Sequence, residues 1–445
     1  MYKKGTLNAE GKTKRIHNEE TRQDIVLVAN KNDITAFDDK KFTKQFGSKG
    51  LCATTTTCKV FELLQNAGIP VAYVEQIGPL EFVAKKCKMI PLEVVVRRYA
   101  VGSYLKRHPE LKRVGTIPHR FHRLVFELFL KTTGGKILTL DGSICGETPV
   151  DPETNKHIED PLISNPDEDV WNLRHPKYPQ WDERSRLNCQ VFRQDILPDP
   201  DNHNKETLIK EVEEITRKAF FVLEGAFATL GHHLIDFKIE FGFTQTGKLV
   251  VADVIDNDSW RLCDQEWVEM SKESFRQGKE LSEVERNYGI VTELVKQFRV
   301  PSQTIVLWGG SKSDGDEFPE IPEIAGINND EVYKSGHKAP CGSAEELEAI
   351  MAEYPEGGVI IALVGKSNGL GPTLSARTSW PVISVPLTAK KRPHDVWSSL
   401  EMPSQVPNMT ILSPENAVLA ALNILAQKNS VAYMHRQYAI EELDQ

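Results

Sequence analysis

No long hydrophobic run exists in this chain: the longest, Val359 to Val364, falls far short of the roughly 20 apolar residues that a bilayer demands. Paired cysteines are missing too. The seven cysteines, at 52, 58, 87, 145, 189, 263 and 341, are odd in number, scattered and never in a Cys-x-x-Cys spacing. That points to reduced thiols. Excess positive charge is absent, with 54 Lys+Arg against 63 Asp+Glu and a net charge of -9, so neither nucleic acid nor an anionic membrane is expected as a partner. The Met1 to Glu10 start carries charges but no apolar signal core, and a cytosolic location is expected.

What is present is length. At 445 residues the chain holds two or more domains, and its pattern changes near the charged stretch Val291 to Arg299, read as a helix ahead of a linker. Before it, strand-like stretches flank a long irregular middle, with helices at Ser48 to Asn66 and Lys205 to Leu230. The second shows the helical period, with Leu208, Val212, Ile215, Ala219, Leu223, Ala226 and Leu230 on one face and Gly231 as a stop. Thr132 to Arg186, rich in Pro, Asp, Asn and Gly, reads as a surface insertion, partly disordered. After Ser302 short apolar strands alternate with helices: Gln303 to Trp308, Glu331 to Tyr333, Ser343 to Tyr354 with a Ser343/Glu346 capping box, Val359 to Val364, Val382 to Val385, Asp395 to Leu400, Met409 to Leu412, and a helix capped by Ser413-Pro414. Such alternation predicts a three-layer α/β/α domain on a parallel sheet.

The most informative segment of the first half is Ile235 to Phe241. Apolar and charged residues alternate there, so Asp236, Lys238 and Glu240 share one strand face. Pairing across the Thr244–Gly247 turn sets Asp253 opposite Lys238 and diagonal to Glu240. Two carboxylates near an ammonium suit Mg²⁺, which takes hard oxygen ligands together with nucleotide phosphates; charged alternation alone equally describes a solvated face. Arg261 follows in the irregular turn Asp256 to Leu262 and offers a planar fork for phosphate or carboxylate. Glu10-Gly11-Lys12-Thr13-Lys14 has the look of a phosphate-covering hairpin, but no upstream glycine makes it a P-loop. Pro91 to Ser103 sets Arg97 at a strand end and Ser103 in the loop beyond.

Taken together, Glu-Gly-Lys-Thr-Lys, Pro-Leu-Glu-Val-Val-Val-Arg-Arg with Gly102-Ser103, Asp-Phe-Lys-Ile-Glu-Phe-Gly and Ala-Asp-Val-Ile-Asp-Asn-Asp-Ser-Trp-Arg-Leu resemble the phosphoribosylaminoimidazole-succinocarboxamide synthetase family in order and spacing over residues 1–295. The resemblance implies an α+β ATP-binding fold and the joining of aspartate to carboxyaminoimidazole ribonucleotide with ATP and Mg²⁺. It implies Lys12, Lys14 and Lys131 at the ATP, Glu240 and Asp253 at the metal, and Arg97, Ser103 and Arg261 on the substrate's phosphate and carboxylates. Lys238, Asp258, Lys272 and Arg276 line the same cleft by resemblance.

In the second half three loops follow strands: Gly309 to Asp314, Ser335 to Pro340 and Gly365 to Pro372. The carboxyl ends of parallel strands are where such sheets bind ligands. These loops resemble the phosphoribosylaminoimidazole carboxylase family over about residues 303–428, in its animal type that uses carbon dioxide directly, with a flavodoxin-like fold. That implies Ser311, Ser313 and Asp314 at the ribose phosphate, His337 as general acid/base, Lys338 assisting carbon dioxide, and Lys366, Ser367, Asn368 and Gly369 at the substrate. Pro319 and Pro322 break the first helix of this domain, Ser-Gly-His replaces the usual Ser-Ala-His, and Lys312 stands where relatives have Thr. The expectation is a bifunctional purine-biosynthesis enzyme: synthetase 1–295, linker 296–302, carboxylase 303–445. It acts on aminoimidazole ribonucleotide, carbon dioxide, aspartate and ATP and assembles as a homo-octamer through the carboxylase domain, with Glu415 to Gln427 as a candidate interface. A competing reading keeps only the synthetase active and reduces the C-terminal domain to an oligomerisation or ligand-sensing scaffold.

Overall fold

The computed structural model describes residues 2–11, 13–35, 43–45, 47–197, 205–271 and 280–443. The chain divides into two compact units, Met1–Phe298 and Arg299–Gln445.

The first unit is built on two antiparallel sheets. One has five strands, in the order Lys4–Glu10, Lys14–Glu19, Ile25–Asn30, Glu81–Lys85 and Tyr73–Gln76. The hairpin expected around Gly11 joins its first two strands, closed by Gly11 N–H donating to the Lys14 carbonyl at 2.9 Å. The nine-stranded sheet runs Arg186–Phe192, Val170–Arg174, Leu162–Ile163, Arg120–Leu130, Leu92–Tyr99, His233–Thr244 and Leu249–Ala252, with Trp260–Cys263 and Cys87–Met89 also paired to His233–Thr244. Helix Lys205–Thr229 packs on His233–Thr244, burying Leu208, Val212, Ala219, Leu223 and Ala226 as its 3.6-residue period requires.

Three expectations for this unit are corrected. The segment read as an irregular insertion carries a series of short strands, and Leu162–Ile163, Val170–Arg174 and the adjoining Arg186–Phe192 extend the main sheet. Trp171, fully buried with its indole N–H donating to the Pro166 carbonyl at 3.0 Å, anchors them; strands this short are too brief to show a period. The helix placed at Val291 to Arg299 is Leu281–Val295, and its buried Val284, Tyr288, Val291 and Val295 set its true start. Finally, the hairpin register pairs Glu240 with Ala252, one residue away from the expected pairing of Asp253 with Lys238.

The second unit is a five-stranded parallel sheet in the order Ile327–Tyr333, Gln303–Gly309, Gly358–Val364, Val382–Pro386 and Met409–Thr410. Numbered along the unit this is 2-1-3-4-5, the flavodoxin-like order. Val306, Trp308, Ile360, Ala362 and Val364 pack with Leu347 and Ile350 of helix Pro340–Glu353. Helix Pro414–Leu425 also packs on the sheet, burying Ala417, Val418, Ala421 and Leu422. Both faces are therefore covered, and every residue of Gly358–Val364 is buried. Between the first two strands stands only the 3-10 turn Lys312–Glu317, as the two prolines demand. Ser343 is not a cap: the helix begins at Pro340, and the Ser343 hydroxyl donates instead to the Ser335 carbonyl at 3.2 Å. Ser413 does cap its helix, accepting from Asn416 N–H at 3.3 Å. A further helix, Ser430–Glu442, follows.

Candidate active sites

The first site is one face of the large sheet. Strand alternation puts Asp236, Lys238 and Glu240 on the same side of His233–Thr244. Its neighbour aligns Arg97 with Asp236 and Val95 with Lys238, and the next strand aligns Glu127 with Val95. Glu93, Arg97, Glu127 and, just past the strand end, Lys131 therefore join that face.

At one end Lys131 Nζ donates to both Glu240 oxygens, at 2.6 and 2.7 Å. Lys238 Nζ donates to Glu93 Oε1 at 2.6 Å and lies 4.0 Å from Glu240. Lys14, from the N-terminal hairpin, pairs with Asp253. Asp253 reaches this cluster despite the one-residue register difference because it lies beyond the end of its strand with φ of 67°, a left-handed turn that swings the side chain round. Burial lowers the Lys14 ammonium to about 8, with Lys131 and Lys238 also repelling its charge. Burial works to raise Glu240, but Lys131, Lys238 and Lys14 outweigh it and hold the carboxyl below its ordinary range.

At the other end the buried Arg97 is gripped twice: Nε donates to Glu127 Oε2 at 2.7 Å, and Nη1 to Asp236 Oδ2. Its Nη2 faces Ser103 Oγ at 3.5 Å. Arg261 Nη1 donates to the same Asp236 oxygen at 2.6 Å. Arg261 also lies against Gly102, where φ is 56° and a Cβ would stand 2.5 Å from Nη2; only glycine lets the Ser103 turn close over the guanidinium. Asp258 lies three residues before Arg261, in the turn that precedes Trp260–Cys263. It takes Lys49 Nζ at 3.1 Å and the Tyr288 hydroxyl, with Lys49 itself 1% exposed. Lys12, Lys272 and Arg276 lie outside the described residues.

Several partners had not been singled out. Glu93 was legible from alternation with Arg97, and Asp236, already placed on the charged face, proves to be the acceptor shared by Arg97 and Arg261. Lys49, Glu127 and Arg107, which also binds Glu127, carry no local signal, since their partners lie 20 to 209 residues away. Asp160 is another: burial beside Glu93 raises it to about 6.

The second site is at the carboxyl edge of the parallel sheet. Ser311 Oγ lies 2.9 Å from Ser313 Oγ and 3.0 Å from Asp314 Oδ2, and Ser311 N–H donates to Asp314 at 2.9 Å. The next loop abuts the third. A Cβ on Gly336 would stand 2.8 Å from Gly369 O, and one on Gly369 would stand 2.6 Å from His337 Nδ1. His337, Lys338 and Lys366 are exposed. Ser367 N–H donates to Asp395 at 2.8 Å. Asn368 turns inward, donating to Ser384 at 2.8 Å and Ser399 at 3.1 Å and accepting from Gly371 N–H at 2.8 Å; its side chain ties the loop down.

A sheet face of lysines, arginines and paired carboxylates on an α+β unit, followed by a flavodoxin-like unit with Ser, His and Gly loops at its sheet edge, defines a two-domain enzyme of phosphorylated small molecules. Residues 7–144 and 191–293 match the SAICAR synthetase family and residues 304–442 the AIR carboxylase family. The chain is 34% identical to a probable multifunctional protein of Caenorhabditis elegans over 96% of this chain and 91% of that one. It is 33% identical to the bifunctional phosphoribosylaminoimidazole carboxylase/phosphoribosylaminoimidazole succinocarboxamide synthetase of Drosophila melanogaster, over 97% and 91%. A phosphoribosylaminoimidazole-succinocarboxamide synthase structure from Ehrlichia chaffeensis aligns with a TM-score of 0.47 and 22% identity, covering 66% of this chain and all of that one. The chain belongs to the family of bifunctional carboxylase/synthetase enzymes of purine biosynthesis, a lyase in one half and a ligase in the other. Full-length relatives bearing both activities in their names do not favour the scaffold reading.

Proposed function

We propose a division of labour among these residues. In the C-terminal unit a carbon–carbon bond forms between carbon dioxide and the imidazole carbon of aminoimidazole ribonucleotide, and His337 takes the proton that carbon loses. Lys338 offsets the new carboxylate, while Ser311, Ser313, Asp314, Lys366, Ser367 and Gly369 border the ribonucleotide. In the N-terminal unit an oxygen of that carboxylate attacks the γ-phosphorus of ATP and ADP leaves. The aspartate amine then attacks the acyl carbon, and phosphate and a proton depart. Lys14 and Lys131, with Lys12, offset phosphoryl charge. Arg97, Ser103 and Arg261 bind the ribonucleotide's phosphate and carboxylates, with Lys238 and Asp258 beside them; the family resemblance assigns Lys272 and Arg276 to the same substrate.

Mg²⁺ fits the donor set. Glu240 and Asp253 are two carboxylates already neutralised by ammoniums, and among the described residues no cluster of three acidic, His or Cys side chains would hold a metal alone. Nucleotide oxygens and water would complete the shell. An ion held by Glu240 and Asp253 would supply positive charge to the nucleotide phosphates. We read the enzyme as cytosolic, in keeping with its free cysteines and the absence of any membrane-length apolar helix among the described residues. We read it as an octamer through the C-terminal unit, where Trp397, Leu400, Leu412 and Leu419 are exposed; light scattering of the full chain at the mass of a monomer would refute the octamer.

The observation that carries the synthetase reading is one sheet face with Lys131–Glu240 at one end and Arg97–Asp236–Arg261 at the other. The test supplies aminoimidazole ribonucleotide, bicarbonate, aspartate, ATP and Mg²⁺ and follows product mass. Glu240→Gln with Asp253→Asn should stop at the carboxylated ribonucleotide, whereas His337→Asn should ligate only when that intermediate is added. Wild-type yields of the succinocarboxamide from either variant would sink the assignment.

A further inference from the structure

The family match breaks off at residue 144 and resumes at 191, yet the skipped segment is folded into the main sheet and reaches the substrate site. Its Pro176 carbonyl accepts from Arg107 Nη1 at 2.6 Å. The other terminal nitrogen of Arg107 donates to Glu127 Oε1, and the second oxygen of that carboxylate takes Arg97 Nε at 2.7 Å. Arg97, Arg107 and Glu127 are 4%, 3% and 8% exposed. A carboxylate shared by two buried guanidiniums fixes both, because each Arg fork is planar and its bonds are directional.

The turn that presents Pro176 is itself held. The buried His175 donates its main-chain N–H to the Ser185 carbonyl at 2.9 Å, and its Nδ1 accepts from Lys177 N–H at 3.1 Å. Its ring packs on Tyr178 with centroids 4.4 Å apart. The same segment grips the residue after Lys131, where Thr132 N–H donates to Asp160 at 2.9 Å and its hydroxyl to Glu159 at 2.6 Å.

We propose that residues 145–190 are a brace for the ribonucleotide site, acting through Pro176, Arg107 and Glu127 to hold the Arg97 fork towards Ser103. Arg107 and Glu127 are positioning residues: they act on Arg97 and do not touch substrate. The inference rests on Arg97 being a ribonucleotide ligand. The Pro176–Arg107–Glu127 arm governs affinity for one substrate of three, because on the same reading ATP is held at the opposite end of the face by Lys14 and Lys131.

Steady-state ligation by the full chain tests it, with KM taken separately for the carboxylated ribonucleotide, ATP and aspartate. Arg107→Met is expected to raise the ribonucleotide KM about tenfold, as loss of one hydrogen bond to a charged group does, with the other two KM values and kcat within about twofold. Arg107→Lys restores part of the loss, His175→Ala shifts the same KM by a smaller factor, and Trp181→Ala, exposed in the same segment, leaves all values unchanged. Equal rises in all three KM values, or a fall in kcat alone, would overturn the brace. If Arg107→Met does not fold, unchanged ribonucleotide KM in both Arg107→Lys and His175→Ala overturns it. Arg97→Met separates the two ideas. A raised ribonucleotide KM there with none in the Arg107 variants rejects the brace alone, and no rise there rejects the site reading and the brace with it.

Discussion

Replacing Asp236 by Asn keeps shape and removes one charge, which makes the change a direct probe of the buried Arg97 and the half-buried Arg261. Asp236 is 3% exposed, so solvent screens it little, and one of its oxygens serves both guanidiniums. Removing one partner of a buried ion pair costs about 3–5 kcal/mol. Asn retains an acceptor oxygen, so the lower figure, about 3 kcal/mol, applies. At roughly 2 °C per kcal/mol for a unit of this size, the N-terminal transition in differential scanning calorimetry should fall by roughly 6 °C. Inorganic phosphate supplies the missing charge between the two arginines and should raise the variant's transition more than the wild type's. A fall below about 1 °C, or equal phosphate increments in both proteins, would show that the two guanidiniums do not depend on Asp236 and do not form an anion site.

Gly336→Ala places a methyl group 2.8 Å from both Gly369 O and Leu370 Cα. These are backbone atoms, so the loop under His337 must shift, at about 1–3 kcal/mol for overpacking. Carboxylation should fall about tenfold while ligation of added intermediate stays unchanged; undiminished carboxylation would refute the tight loop packing. Asp160 titrates at about 6 in the folded chain because of burial and the neighbouring Glu93, above its unfolded value near 4. The folded state therefore binds more protons between those two values, and this group's contribution to stability falls as pH rises from about 4 to 6 and stays reduced above. Asp160→Asn should gain stability relative to wild type between pH 4 and pH 7 in urea unfolding, and an identical difference at both pH values would count against a raised carboxyl.

The legible parts share one property, which is that their signal lies within one element. Alternation from Ile235 to Phe241 placed three charges on one face, the period of Lys205–Thr229 marked its buried side, and Pro319 and Pro322 foretold the missing helix after Gln303–Gly309. What failed were boundaries, register and the Thr132 to Arg186 segment, whose short strands join the main sheet. Ser343 has the letters of a cap, but Pro340 starts that helix three residues earlier. The one-residue error at Asp253 followed from assuming regular pairing up to a residue that in fact turns left-handed.

By itself the sequence determined the parallel α/β class of the second half, the alternating charged strand and the loops that follow parallel strands, because propensity, period and turn chemistry act over a few residues; the class of the first half came from its resemblance to a known family. Only the tertiary structure decided which charges neutralise which. Arg97 meets Glu127 and Asp236 across 30 and 139 residues, Lys49 meets Asp258 across 209, and a segment without periodicity reaches Arg107 through one carbonyl. Such pairs form because a charge withdrawn from water must find an opposite charge wherever the packed sheet brings one, and that choice is made by register and layer contact.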